Sequence, residues 1–379
     1  ERENHISSDS WPIYISLQKD GILFKMRRTQ DLPDKESATM FFQDCKLAHQ
    51  AQITGISHSV KEILPPDLLD LTQLQKEANI RYGFTASEVY DIAQSLYEKK
   101  LISYPRTSSR YLTEDVFDSL PPIMACLLSW ELFPAAKGTG GIDISNLSRH
   151  VISAEKANVH HAIIITGIRP GNLSEKEMQV YRLVAGRMLE TFMAPCRIET
   201  TNVEAVCAAQ HFKAEQTRII EAGWHDVFMR YDMIPTSGYS VKELPEVEKG
   251  DTLNVCGCNM VHKKELPVDP FTDAELVEYM ELNGLGTVSS RTNIIRTLVN
   301  RKYIRYSGKY IVPTPKGMFT YETIRGKKIA DTSLTADWEK QLAGLESGMI
   351  TGQDFLNRIR TLAKEMTDDI FNTYSTKEE

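Results

Sequence analysis

From about residue 11 to 63, apolar and polar residues alternate in short runs, as in Trp11-Pro12-Ile13-Tyr14-Ile15-Ser16-Leu17 and Gly21-Ile22-Leu23-Phe24-Lys25-Met26. Successive side chains of an extended chain point to opposite faces, so these runs predict half-buried strands. A helix-length stretch near 36–50 interrupts them, and Pro65-Pro66 ends the pattern. The period then changes. Thr85-Ala86-Ser87-Glu88 reads as a capping box, after which Val89, Ile92, Ala93, Leu96 and Tyr97 fall on one helical face as far as Lys99-Lys100. A second box, Ser174-Glu175-Lys176-Glu177, opens a helix carrying Val180, Leu183, Val184, Met188, Leu189 and Phe192, which Pro195 closes.

Alternation returns from about 198 to 258, with a turn at Gly250-Asp251. Strands therefore flank a helical insert, which predicts one β-rich domain split in sequence. The last third is helical. Thr272-Asp273-Ala274-Glu275 starts a helix running to about Asn283, and glycines at 284 and 286 make a turn. A second helix spans about 290–301, and 303–312 reads as two short strands around Ser307-Gly308. Helix, turn, helix, hairpin is the winged-helix order. The fold class expected is α+β and multidomain, divided at 1–62, 63–195, 196–262 and 263–379.

Composition narrows the class. At 379 residues and 41% hydrophobic the chain has enough apolar matter for more than one core. It holds no apolar run of about 18 residues and opens on Glu1-Arg2-Glu3-Asn4-His5. No membrane partner is expected, cytosol is the default, and the start reads as the end of a helix in an excised fragment. A net charge of −7 argues against coating nucleic acid by bulk electrostatics but leaves room for a local basic groove. The six cysteines include no C-x-x-C pair, and Cys256-Gly-Cys258 reads as ordinary strand, so neither a zinc site nor a disulfide framework is expected. Lys137-Gly138-Thr139-Gly140-Gly141 lacks the order of a phosphate-cradling loop.

Three segments carry candidate chemistry. In Leu101-Ile102-Ser103-Tyr104-Pro105-Arg106-Thr107-Ser108-Ser109-Arg110, Pro105 pushes Tyr104 towards extended geometry, where residues two apart share a face. Tyr104 and Arg106 then point the same way. A phenol is a poor nucleophile at neutral pH, and a fixed cation favours the phenolate and stabilises charge on a phosphoryl oxygen, which is chemistry suited to a phosphodiester. Alone, such a tripeptide is more often a packed loop. Val159-His160-His161-Ala162-Ile163-Ile164-Ile165-Thr166 offers an imidazole to a phosphate, although adjacent histidines usually serve as plain hydrogen-bonding groups. The second helix of the winged module carries Arg291, Arg296, Arg301 and Lys302, followed by Arg305 and Lys309, a face that suits phosphates or water equally.

Taken in order, these segments resemble the type IA DNA topoisomerases, particularly the bacterial topoisomerase III branch, over nearly the whole chain. Leu74-Gln75-Lys76-Glu77-Ala78-Asn79, Ala93-Gln94-Ser95-Leu96-Tyr97-Glu98 and Ile102-Ser103-Tyr104-Pro105-Arg106-Thr107 are similar to the run leading to that family's active tyrosine. His160-His161-Ala162-Ile163-Ile164 resembles its histidine motif, Gly284-Leu285-Gly286-Thr287 through Arg291 its glycine-turn motif, and Leu334-Thr335-Ala336-Asp337-Trp338-Glu339 its late tryptophan segment. The resemblance implies a torus-like arch built from a split β-rich gate domain and two helical, winged-helix-like domains. It implies that Tyr104 attacks single-stranded DNA and holds the 5′ phosphate, with Arg106 stabilising that phosphate and His160 contacting it. Thr107, Ser108, Arg110, His161 and Arg291 are the implied DNA contacts, with no metal ligand in this chain. Mg²⁺ would be bound by an N-terminal Toprim domain expected upstream of Glu1, and without that domain single-strand binding with little or no relaxation is expected.

Three residues depart from the family pattern. Ser108 follows Thr107 where an aspartate is usual, and Ile165 and Val288 replace prolines. Two readings compete with an active strand-cutting enzyme. One is a non-catalytic winged-helix DNA-binding protein, which would bind duplex with sequence preference and form no covalent adduct. The other, a tyrosine recombinase, calls for dispersed arginines and histidines around a late tyrosine, an order this chain lacks.

Overall fold

The computed structural model describes residues 8–130, 132–133, 142–157, 160–229 and 240–375. The helix end expected at the very start, the glycine loop at 137–141 and Val159 of the histidine motif lie outside them. Contacts divide the chain into two units. The first comprises Glu1–Pro66, Phe133–Ile142 and Leu189–Asp269, the second Asp67–Leu132, Asp143–Met188 and Pro270–Glu379.

The first unit contains β1 (Asp9–Ser10), β2 (Ile13–Lys19), β3 (Ile22–Arg28), α1 (Lys35–Leu47), β4 (Gln50–Ile63), β5 (Cys196–Cys207), β6 (Gln210–Glu221), β7 (Thr252–Met260) and β8 (Lys263–Lys264). Six of these strands close into an antiparallel barrel in the order β2-β3-β6-β5-β4-β7, while β1 pairs with β8. Closure leaves the barrel no free edge. Its interior follows from the alternation: Ile13, Ile15 and Leu17 of β2, Phe24 and Met26 of β3, Ala51 and Ile53 of β4, and Val203, Ala205 and Cys207 of β5 pack with Phe212, Ala214 and Leu253. Cys45 of α1 joins this core. Cys256 and Cys258 lie in β7, beside a register shift opposite Ser16 and Leu17. Beyond His58, β4 is exposed on both faces as far as Glu62, so that ribbon is held by its ladder with β5 rather than by the core.

The second unit is mainly helical. It contains α2 (Leu71–Tyr82), α3 (Ala86–Glu98), α4 (Glu114–Asp118), α5 (Leu120–Ser129), α6 (Ala154–Ala157) and α7 (Glu175–Phe192) as far as Met188. After these come α8 (Asp273–Leu282), α9 (Val288–Asn300), the hairpin β9 (Ile304–Ser307) and β10 (Tyr310–Pro313), then α10 (Pro315–Ile324), α11 (Thr332–Glu346) and α12 (Gly352–Ser375). The capping boxes read at Thr85 and Thr272 are formed, and Ser174 and Glu177 exchange the same bonds before α7. Gly286 sits in the turn before α9 at φ +71°, where a Cβ would come within 2.8 Å of Ser290 Oγ. Only glycine satisfies both demands.

Ala86, Val277, Met280, Ile295 and Ile311 form the apolar centre that joins α3, α8, α9 and β10. A buried polar network threads through it. Gln75 Nε2 donates to Ala86 O (2.9 Å) and Thr292 Oγ1 (3.0 Å), and Asp273 accepts from Ala86 N and Tyr306 Oη. Burial raises the Asp273 carboxyl above the ordinary range despite these donors. Among the described residues, no helix is long and apolar enough to cross a membrane.

Candidate active site

The site is assembled from α3 and two extended segments. Lys100, at φ +60°, reverses the chain after α3, with Lys100 N donating to Tyr97 O (2.8 Å) and Leu101 N to Leu96 O (2.9 Å). The chain then runs antiparallel to the histidine segment. Ile102 bridges Ile165, Ser103 N donates to Ile164 O (2.8 Å), and Ser103 Oγ accepts from Ile164 N (3.0 Å) while donating to Ala162 O (3.1 Å). Four residues on, the buried Thr107 hydroxyl donates to His160 O (2.8 Å) and accepts from Ser109 N (3.0 Å). Short polar side chains thus do the work of a sheet ladder where two irregular strands meet.

Tyr104 and Arg106 both rest on one face of α3. Tyr90, Gln94 and Tyr97 recur at the i, i+4, i+7 spacing that aligns helical side chains. Tyr97 meets the half-buried Tyr104 edge-on, with centroids 5.4 Å apart, and His160 lies tilted against the Tyr104 ring at 4.5 Å. The Arg106 guanidinium covers the Tyr90 ring at 5.0 Å and makes a long hydrogen bond of 3.4 Å from Nη2 to Gln94 Oε1. Its Nε is buried without a hydrogen-bond partner, an unmet donor on the helix face that also seats Tyr104. Tyr90 had no place in the sequence reading, Gln94 stood there only within the family-like run, and Tyr97 stood on the apolar face; it is 39% exposed. Their i, i+4, i+7 spacing, one residue on from the buried stripe of Val89, Ala93 and Leu96, was the available signal.

The α3 platform is braced at its far end by Glu177, which accepts from Ser95 Oγ (2.7 Å), Lys99 Nζ and Ser174 N. These donors, Lys99 foremost, hold its carboxyl down at about 2.

The remaining residues singled out from the sequence lie elsewhere or are already engaged. The Thr107 hydroxyl is spent on the segment junction. The His161 Nδ1–H donates to Ala162 O (2.7 Å). Ser108 and Arg110 line a separate cleft of about 470 Å³ in which Asp67, Asp70, Glu155 and Glu281 outnumber the cations Arg110 and Lys156. Arg110 Nε donates to Asp70 Oδ2 (2.7 Å), and Asp70 in turn caps α2 through Gln73 N. Arg291 is turned inward, 8% exposed, with Nη1 3.4 Å from Glu281. Arg296 is committed to Ser87 and Asp91. The basic face expected on α9 therefore gives up two of its arginines to internal partners. Among the described residues, no group of three or more His, Cys, Asp or Glu is placed to hold a metal ion.

A family model described as DNA topoisomerase matches residues 1–357. The DNA topoisomerase 3 of Bacillus licheniformis is 31% identical over 344 residues, 84% of this chain and 47% of that protein. The DNA topoisomerase 3 of Bacillus subtilis is 30% identical over 355 residues, 86% of this chain and 48% of that protein. The chain spans about half the length of the curated relatives it matches. Among solved structures, full-length topoisomerase I from Thermotoga maritima superposes with a TM-score of 0.74 at 21% identity, over 96% of this chain and 60% of that one, a likeness of fold. With a family match running through the barrel, the tyrosine platform and the winged module alike, this chain belongs to the type IA DNA topoisomerases.

Proposed function

We propose that this chain carries the strand-cutting tyrosine of a DNA topoisomerase that acts on single-stranded DNA through a 5′-phosphotyrosyl intermediate. Tyr104 Oη bonds to phosphorus as the bond from phosphorus to the 3′ oxygen breaks. The phenol proton is released, and the departing 3′ oxygen ends as a hydroxyl. One phosphodiester is exchanged for another, so resealing by the 3′ hydroxyl restores the strand and frees Tyr104 without ATP. Passage of a second strand before resealing would relax or decatenate DNA.

The observation that carries this reading is the common seat of Tyr104 and Arg106 on α3, with the Arg106 Nε buried and unpartnered. That donor suits the charge that builds on a phosphoryl oxygen. His160, beside the Tyr104 ring, is the proposed second contact to the phosphate. Of the proposed DNA contacts, Ser108 is exposed, whereas Thr107, Arg110, His161 and Arg291 would exchange or share their present partners. Among the described residues no group of three or more His, Cys, Asp or Glu is placed to hold the Mg²⁺ expected for the full reaction. A Toprim domain is the proposed source of that ion.

Covalent capture tests the proposal. Single-stranded DNA labelled at either end is incubated with Mg²⁺ and this chain, with and without an added Toprim domain, and then denatured. A protein-linked 3′ label, on the fragment whose 5′ phosphate is at the break, with the 5′ label released on a fragment ending in a 3′ hydroxyl and the link lost in Tyr104→Phe, is the expected result. No adduct under either condition, together with sequence-specific duplex binding, would replace this reading with that of a winged-helix DNA-binding protein.

A further inference from the structure

Arg106 has a second setting. An open cleft of about 500 Å³, which neither Tyr104 nor His160 lines, runs between Tyr90 and Arg106 on one wall and α9 on the other. The α9 wall is a stripe at helical spacing, with Ser289, Asn293 and Thr297 supplying polar groups and Ile294 and Leu298 the apolar floor. Ser289, Asn293, Ile294 and Thr297 are exposed, and no hydrogen bond ties the Asn293 carboxamide to the protein among the described residues. The Arg106 guanidinium, 5.0 Å from the centre of the Tyr90 ring, lines the cleft together with that ring.

These features match one kind of occupant. A nucleobase is flat, has an apolar face that stacks on an arginine plane or an aromatic ring, and has a polar edge that a carboxamide or hydroxyl can bond. A phosphate would have little use for Ile294 and Leu298, and a duplex could not offer an unstacked base. We infer that the cleft lined by Tyr90, Arg106, Asn293, Ile294 and Thr297 takes one splayed-out base of the bound single strand, stacked on Arg106 with its edge towards Asn293. The inference rests on the reading of Tyr104 and Arg106 as the strand-cutting pair, and it makes Arg106 the joint between phosphate and base. Seating a base there fixes which phosphodiester is presented to Tyr104, so the cleft sets the register of the strand.

The test uses the intact chain and fluorescein-labelled single-stranded oligonucleotides, each carrying one abasic site moved stepwise along the strand, with affinity read by anisotropy. One abasic position is expected to weaken binding about tenfold. Thr297→Trp, an exposed substitution that fills the cleft, should weaken binding of the intact strand by a similar factor and then bind abasic and intact strands alike. Asn293→Ala, which leaves the space open, should give a smaller loss at the same position. If the strand binds but no abasic position matters, or if the same position matters equally in Thr297→Trp, the base cleft is wrong and the strand-cutting reading stands. If a folded chain binds no single strand at all, both fall.

Discussion

The barrel of the first unit and the tyrosine platform of the second are held together by different means. In the barrel, every strand is paired on both sides and the interior is apolar, so stability is spread over many interchangeable contacts. In the platform, two irregular segments share a few main-chain bonds, such as Ser103 N to Ile164 O and Thr166 N to Leu101 O, and are otherwise joined by the hydroxyls of Ser103, Thr107 and Ser109 bonding to backbone groups. Loss of one contact in the barrel leaves a cavity but not a rearrangement, whereas loss of one hydroxyl in the platform frees the carbonyl beside His160. A fold can be robust while its site depends on two or three polar atoms.

The largest effect on stability should come from the barrel. Phe212→Ala empties the centre of the core and is expected to cost about 3–5 kcal/mol, read as a lower midpoint in chemical denaturation, while the Tyr97–Tyr104–His160 cluster keeps its near-ultraviolet signature until the chain unfolds. An unchanged midpoint would show that the barrel is not a unit of stability. Thr107→Val keeps the shape and removes both hydrogen bonds, for about 1–3 kcal/mol. It should weaken the barrel not at all but lower adduct formation through misplacement of His160. Equal adduct yield in Thr107→Val and wild type would deny the junction its positioning role.

The smallest effect concerns the far brace of α3. Glu177 titrates near 2 when folded and near the ordinary glutamate value when unfolded, so the folded state binds fewer protons between those values. Its contribution is therefore present at neutral pH and lost as pH falls from about 4.5 towards 2. Glu177→Gln should lower the melting temperature at pH 7, with the gap to wild type closing across that window. A gap independent of pH would mean that Lys99, Ser95 and Ser174 bind the side chain's shape rather than its charge.

Much of the architecture was legible because its causes are local. Alternation at 13–17 and 24–26 follows from one buried sheet face, and Thr85, Ser174 and Thr272 announce helix starts because a hydroxyl must satisfy orphan amides. The tight β5–β6 turn was not legible: Ala208 and Ala209 both adopt positive φ, +47° and +59°, where glycine or asparagine would have signalled the turn. At the site, the shared face of Tyr104 and Arg106 was readable from their spacing of two, and both do rest on α3. Nothing local says that Arg110 is claimed by Asp70, 40 residues earlier, or that the turn between α8 and α9 sets Arg291 against Glu281.

The sequence by itself therefore determined which residue types were available for phosphodiester chemistry, where strands and helices begin, and, through its family likeness, the class of fold. Only the tertiary structure decided which side chains remain free to act. Packing α3 beneath the tyrosine segment turned Tyr90, Gln94 and Tyr97 into a platform, bound Arg296 to Ser87 and Asp91, and left the Arg106 Nε unpartnered, while Arg291 came to lie buried beside Glu281. The physical reason is that a charged or polar group's role is set by its nearest partners once water is excluded, and those partners come from parts of the chain that only folding brings together.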